Sequence, residues 1–85
     1  MKYYIGEILE VNGGMEYESK FLFSTDENPE EYCKKIAMEW RGSNEDDFDE
    51  NYDAFWSDNT LIYSQGSTEI PKEDFEVLKK YMTAF

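Results

Sequence analysis

Polar and apolar positions alternate along MEYESKFLFS, residues 15–24, with Met15, Tyr17, Phe21 and Phe23 on one side and Glu16, Glu18 and Lys20 on the other. A period of two is the signature of a strand with one buried face. The preceding KYYIGEILEV, residues 2–11, also reads as a strand. Tyr3, Ile5, Leu9 and Val11 share one face, interrupted by Glu7, and Tyr4 and Ile8 lie on the other. Asn12-Gly13-Gly14 separates the two runs with residues that accept the positive φ of a tight turn. The pattern predicts an N-terminal β-hairpin.

The period then changes. After a turn over residues 24–27, NPEEYCKKIAMEWRG places Tyr32, Cys33, Ile36, Ala37 and Trp40 at helical spacing. Asn28 is an N-cap, Pro29 suits the first helical position, and Glu31 gives an N-x-x-E capping box. Gly42 suits the C-terminal cap. Early acids, with Lys34, Lys35 and Arg41 later, complement the helix dipole. Residues 43–53 read as a loop, DAFW at 53–56 as the start of a third strand, Asp58-Asn59 as a turn, and TLIYS at 60–64 as a short strand. Residues 65–68 read as a polar turn. Pro71 opens a second helix, PKEDFEVLKKYM, with Phe75, Leu78, Tyr81 and Met82 on its apolar face. The expected fold is a single α+β domain spanning residues 1–85, in β-β-α-β-β-α order. A mainly antiparallel four-stranded sheet would carry one or both helices on one face.

Composition narrows the picture. A chain of 85 residues makes one domain with a small core, burying about 60–65% of its unfolded surface. Twenty acids against 8 bases give a net charge of −12, yet 18% of residues are aromatic, which is not the composition of a disordered acidic chain. The single cysteine, Cys33, excludes an internal disulfide and a cysteine zinc site, and its place on the apolar helix face makes it a core residue. The start of the chain is too short and charged for a signal peptide, and no apolar run approaches the roughly 20 residues of a membrane span. A soluble, cytoplasmic protein is expected.

Much chemistry is excluded. Without histidine there is no Ser-His-Asp or Cys-His catalysis, no histidine metal site and no histidine switch. No glycine loop resembles a phosphate cradle. Paired carboxylates need an acid in an apolar pocket to act as acid and base, and a domain this small has little room for one. No enzymatic activity and no cofactor are expected.

The candidate chemistry lies in EDDFDENYD, residues 45–53, with six carboxylates in nine positions and no basic residue. One reading is a solvated loop, although Phe48, Tyr52, Phe55 and Trp56 would anchor it to the domain. A second is a cation site: Asp47-x-Asp49-x-Asn51 matches the first, third and fifth positions of a calcium loop. Tyr52 stands where that loop needs glycine and Asp58 where it needs glutamate, and Gly42 intervenes after the helix, so an EF-hand is not supported. A third is a surface that imitates nucleic acid. Duplex DNA carries about one charge per 1.7 Å of axis. Carboxylates on several elements of a rigid frame can approach that density together, alternate strand residues lying about 6.6 Å apart and helix neighbours at i, i+4 about 5–6 Å apart. Glu7, Glu10, Glu16 and Glu18 of the hairpin, and Asp26, Glu27, Glu30 and Glu31 at the helix start, would add to it on a shared face.

In its charge of −12 on 85 residues and its segment EDDFDENYD, the chain resembles the small acidic inhibitors of phages and mobile elements. These are the DNA-mimic anti-restriction proteins, the anti-CRISPR proteins and the inhibitor of uracil-DNA glycosylase. The resemblance is one of class, carried by composition, and assigns no residue roles. It implies a stoichiometric, non-catalytic inhibitor that occupies the basic surface of a nucleic-acid-binding protein; the net charge itself is repelled by nucleic acid and anionic membranes, so direct binding to either is not expected. The expected contact residues are Glu45, Asp46, Asp47, Asp49, Glu50, Tyr52, Asp53 and Trp56. The alternatives are an immunity protein or antitoxin that neutralises one nuclease, and an acidic structural or interaction domain whose charge serves solubility.

Overall fold

A computed structural model describes residues 1–85. Strands β1 (Lys2–Asn12) and β2 (Met15–Thr25) form the expected hairpin, turning through Gly13 at φ 61°. Helix α1 (Pro29–Glu39) follows, then a single 3-10 turn (Glu45–Asp47). Strands β3 (Phe48–Asp49), β4 (Ala54–Ser57) and β5 (Thr60–Ile70) come next, and helix α2 (Lys72–Leu78) last. The sheet is antiparallel and has five strands in the order β2-β1-β5-β4-β3, with β5 drawn back beside β1.

Two departures from the expected four strands have physical causes. Residues 65–68 are not a turn. Strand β5 runs on through them to Ile70, pairing Ser67 with Gly6 and Ile70 with Tyr3. The register shift between Gly6 and Ile8 accommodates an extra β5 residue, and Gly66 takes a φ of 99° there. Such a bulge needs the backbone freedom that made Gln-Gly-Ser resemble a turn. The fifth strand, β3, is two residues inside the acidic run, where Phe48 pairs with Phe55 and Asp49 with Ala54.

Parity fixes what each face holds. Even positions of β1 point inward: Tyr4 and Ile8 are buried with Phe21, Phe23, Phe55 and Ile62, and α1 closes this layer with Cys33, Ile36 and Ala37. Tyr3, Ile5, Leu9 and Val11, the more apolar face by sequence, are only half-buried. The inner face is set partly by a missing side chain: Phe21 lies over Gly6, so a Cβ there would meet the ring at 2.4 Å. Helix α2 packs on the opposite face through Phe75, whose ring lies 4.8 Å from that of Tyr3. Tyr81, expected on the apolar face of this helix, lies beyond its end and is 81% exposed. The C-terminal residues instead strap the outer edge of β2. Leu22 N–H donates to Thr83 O and Phe85 N–H to Leu22 O, both at 2.8 Å, and the Phe85 ring packs edge-on against Phe21.

Candidate acidic interface

Asn28 accepts hydrogen bonds from the N–H groups of Glu30 and Glu31 at 2.9 and 3.4 Å, so α1 begins where the sequence indicates. The reciprocal capping box forms elsewhere, at the entry to the acidic run. Asn44 Oδ1 accepts from Asp46 N–H and Asp47 Oδ2 accepts from Asn44 N–H, both at 2.9 Å. Gly42 closes α1 at φ 77°, and Arg41 turns away from the helix end to pair with Glu10. The Ser43 hydroxyl donates to Trp56 O at 2.8 Å and the Ser57 hydroxyl to Arg41 O at 3.2 Å, tying the segment after α1 to β4.

The run is therefore a built turn, and its carboxylates divide by use. Asp47 caps the 3-10 turn. Asp49 accepts from Asn51 N–H at 2.9 Å with one oxygen and from Trp56 Nε1–H at 3.1 Å with the other. Asp53, at a left-handed φ of 52°, pairs with Lys34 at 3.1 Å. These three hold the segment. The carboxylates of Glu45, Asp46 and Glu50 are exposed and make no hydrogen bond or ion pair in the fold. The calcium-loop spacing has a local explanation in the same bonds: Asp47 and Asp49 are turned onto their own backbone. No three acidic, histidine or cysteine side chains converge as metal ligands would.

The aromatics of the run also divide. Phe55 is buried, with the Phe48 ring 5.1 Å away, and Lys34 Nζ sits 5.2 Å over that Phe48 ring. Trp56 points to the other side of the sheet, 37% exposed, with Tyr52 edge-on at 6.3 Å and itself 52% exposed. The expected site residues thus straddle the β3–β4 edge.

Of the outlying acids, one group joins the run and the other does not. Glu27 and Glu31 share a surface groove of about 340 Å³ with Glu45, and Lys34 and Lys35 lie along it. Glu30 and Asp53 flank the adjoining hollow. The start of α1 and the acidic run therefore form one flank of the molecule. The hairpin acids are dispersed. Glu7 pairs with Lys20 at 3.5 Å. Glu16 and Glu18 stand on β2, at the opposite edge of the sheet from β3. Glu10 is buried, accepting from Trp40 Nε1–H at 2.9 Å and paired with Arg41. Its structural role was open to detection, since it shares parity with Tyr4 and Ile8 and so belongs to the inner face.

Cys33 is fully buried, its thiol 3.9 Å from Gly66 O. Burial pushes that thiol above its ordinary range; a hydrogen bond with Ser67 opposes the shift and the Glu30 charge adds to it. No helix of the protein is long and apolar enough to cross a membrane. No family model matches the chain, and neither a curated protein nor a solved structure is significantly similar to it.

Proposed function

We propose that the protein is a non-catalytic binding protein whose acidic flank engages the basic surface of a nucleic-acid-binding protein and competes with nucleic acid there. The observation that carries this reading is the juxtaposition of two acidic segments distant in sequence. Glu27, Glu30 and Glu31 at the start of α1 lie beside Glu45 and Asp53 of the run. The backbone of the run is held by the Asn44–Asp47 capping box and the Asp49 bonds, so the chain positions from which its outward carboxylates project are set before any partner arrives. A backbone already ordered loses no further chain entropy when these carboxylates pair with Lys and Arg that otherwise hold phosphates. A net charge of −12 would speed encounter with such a partner and make binding salt-sensitive. The groove on this flank is open to solvent, which suits an apposed surface better than an enclosed substrate.

The test is capture from a bacterial lysate by the intact protein and by a variant with Glu27, Glu30, Glu31, Glu45 and Glu50 changed to Gln and Asp46 to Asn. The structural carboxylates Asp47, Asp49 and Asp53 are left in place. The expected result is a nucleic-acid enzyme or defence complex held by the intact protein alone and released by added duplex DNA. Recovery of the same partner by both proteins, or indifference to DNA, rejects the reading.

A further inference from the structure

The face of the sheet opposite α1 is only partly covered. Helix α2 seats at one end, against Tyr3, Ile5 and Ile70. Beyond it the strand register brings together Leu9 with Tyr63, Val11 with Leu61, and Leu61 with Trp56. Leu61 is buried at the floor of this patch. Leu9, Val11 and Tyr63 are half-buried, and Trp56 and Tyr52 are exposed at its margin. The Trp56 ring is pinned there by its bond to Asp49 and by Tyr52. A rigid aromatic anchor beside aliphatic side chains is the composition of a binding hot spot.

Its border is acidic on both sides. On β2 the residues directly across from Leu9 and Val11 are Glu18 and Glu16, both exposed. On the other side lies Asp49, which accepts from the Trp56 indole, and the exposed Asp58 stands in the β4–β5 turn. No lysine or arginine lies across from Leu9, Val11, Leu61 or Tyr63. A second copy of this chain would bring acidic rim against acidic rim and −12 against −12, which like-charge repulsion disfavours. Electrostatic complementarity selects a basic protein surface with an apolar centre.

We infer that this open half of the sheet is a docking surface for a basic protein partner, with Trp56, Tyr63, Leu9 and Val11 as its apolar core and Glu16 and Glu18 on its rim. This rests on the acidic-flank reading for the sign of the partner's charge. It adds that recognition is protein-specific, because phosphate-binding charge alone has no use for the apolar centre.

Three synthetic peptides of equal length test it against the isotopically labelled full-length protein, with amide shifts followed by NMR. The first has a Lys/Arg face and a Leu/Trp face. In the second the apolar residues are Ser, and in the third the bases are Glu. The expected result is that the first binds at least ten-fold more tightly than the second and the third does not bind. Shifts should centre on Leu9, Val11, Tyr63 and Trp56. The variants Val11→Thr and Tyr63→Thr, which suit strands, should remove the preference for the first peptide while keeping weak binding of the second. Equal affinity for the two basic peptides, or shifts confined to the α1 flank, overturns the inference. So does a dimer in sedimentation at high salt whose interface maps to this face. The two readings fail separately: this inference falls when the apolar centre makes no difference to binding, whereas the acidic-flank reading falls when the charge-neutralised variant keeps the partner or DNA does not displace it.

Discussion

At the scale of single residues, the inner face of the sheet depends on two positions in β1 that carry no large apolar side chain. Gly6 makes room for Phe21, and a Cβ would overlap the ring. Overpacking a filled core costs about 1–3 kcal/mol. Gly6→Ala should therefore lower the urea midpoint without changing the slope, and a midpoint equal to the parent would show that Phe21 has somewhere else to go. Glu10 is buried beneath Trp40 and Arg41. Glu10→Ala leaves the indole N–H without an acceptor in a partly buried place, a loss of about 1–3 kcal/mol. The same denaturation curves measure it. The Cys33 thiol is raised by burial, so at mildly alkaline pH it should react with a thiol reagent much more slowly in the folded protein than in urea. The unfolded chain ionises this thiol first. Its contribution to stability is thus intact below the ordinary thiol range and is lost as pH rises through the folded value. Equal reaction rates in the folded and unfolded protein would contradict the burial.

At the scale of elements, the parts with strong periodicity could be read from sequence and those built on exceptions could not. The hairpin and α1 carry their patterns over ten residues or more, with turn and cap residues at the ends. The second half of β5 hid behind Gly66, because a bulge and a turn ask for the same residue. Strand β3 hid because two residues show no period, and here they lie among carboxylates that read as loop. The C-terminal strap is held by backbone bonds to Leu22, which no side-chain pattern announces. The candidate site was legible as a charge run and as the chance of convergence with the start of α1. Its division into holding and outward carboxylates was not, because Asp47, Asp49 and Asp53 differ from Glu45, Asp46 and Glu50 only in what lies within hydrogen-bond reach. That division has a consequence. Asp49→Ala removes the acceptor of both Asn51 N–H and the Trp56 indole, and should destabilise the fold by about 1 kcal/mol. Changing Glu45 and Glu50 to Gln should leave thermal stability unchanged or raised. If the two changes have equal effects, the run is not the built turn described above.

At the scale of the whole molecule, 20 acids and 8 bases fold into a domain with a Cα radius of gyration of 13.2 Å. The ion pairs offset little of that repulsion. Those of Asp26, Glu7, Asp53 and Glu76 are all substantially exposed, and exposed pairs contribute about 0–1 kcal/mol each. Only the Arg41 pair reaches a buried carboxylate. The folded state brings the acids of the α1 start and the run together, while the unfolded chain lets them separate, so repulsion acts mainly against the native state. Screening should relieve it. Each kcal/mol recovered at the midpoint raises Tm by about 4–8 °C for a domain of this size. Raising sodium chloride from low to several-hundred-millimolar concentration should therefore raise Tm by several degrees, and potassium chloride should do the same, because screening depends on ionic strength and not on the cation. Much stronger stabilisation by a divalent chloride at equal ionic strength would mean that the carboxylates hold a specific cation. A Tm that does not respond to salt would mean that the acids repel one another no more in the fold than in the open chain, and the acidic flank would then lack the charge density on which its proposed competition with nucleic acid depends.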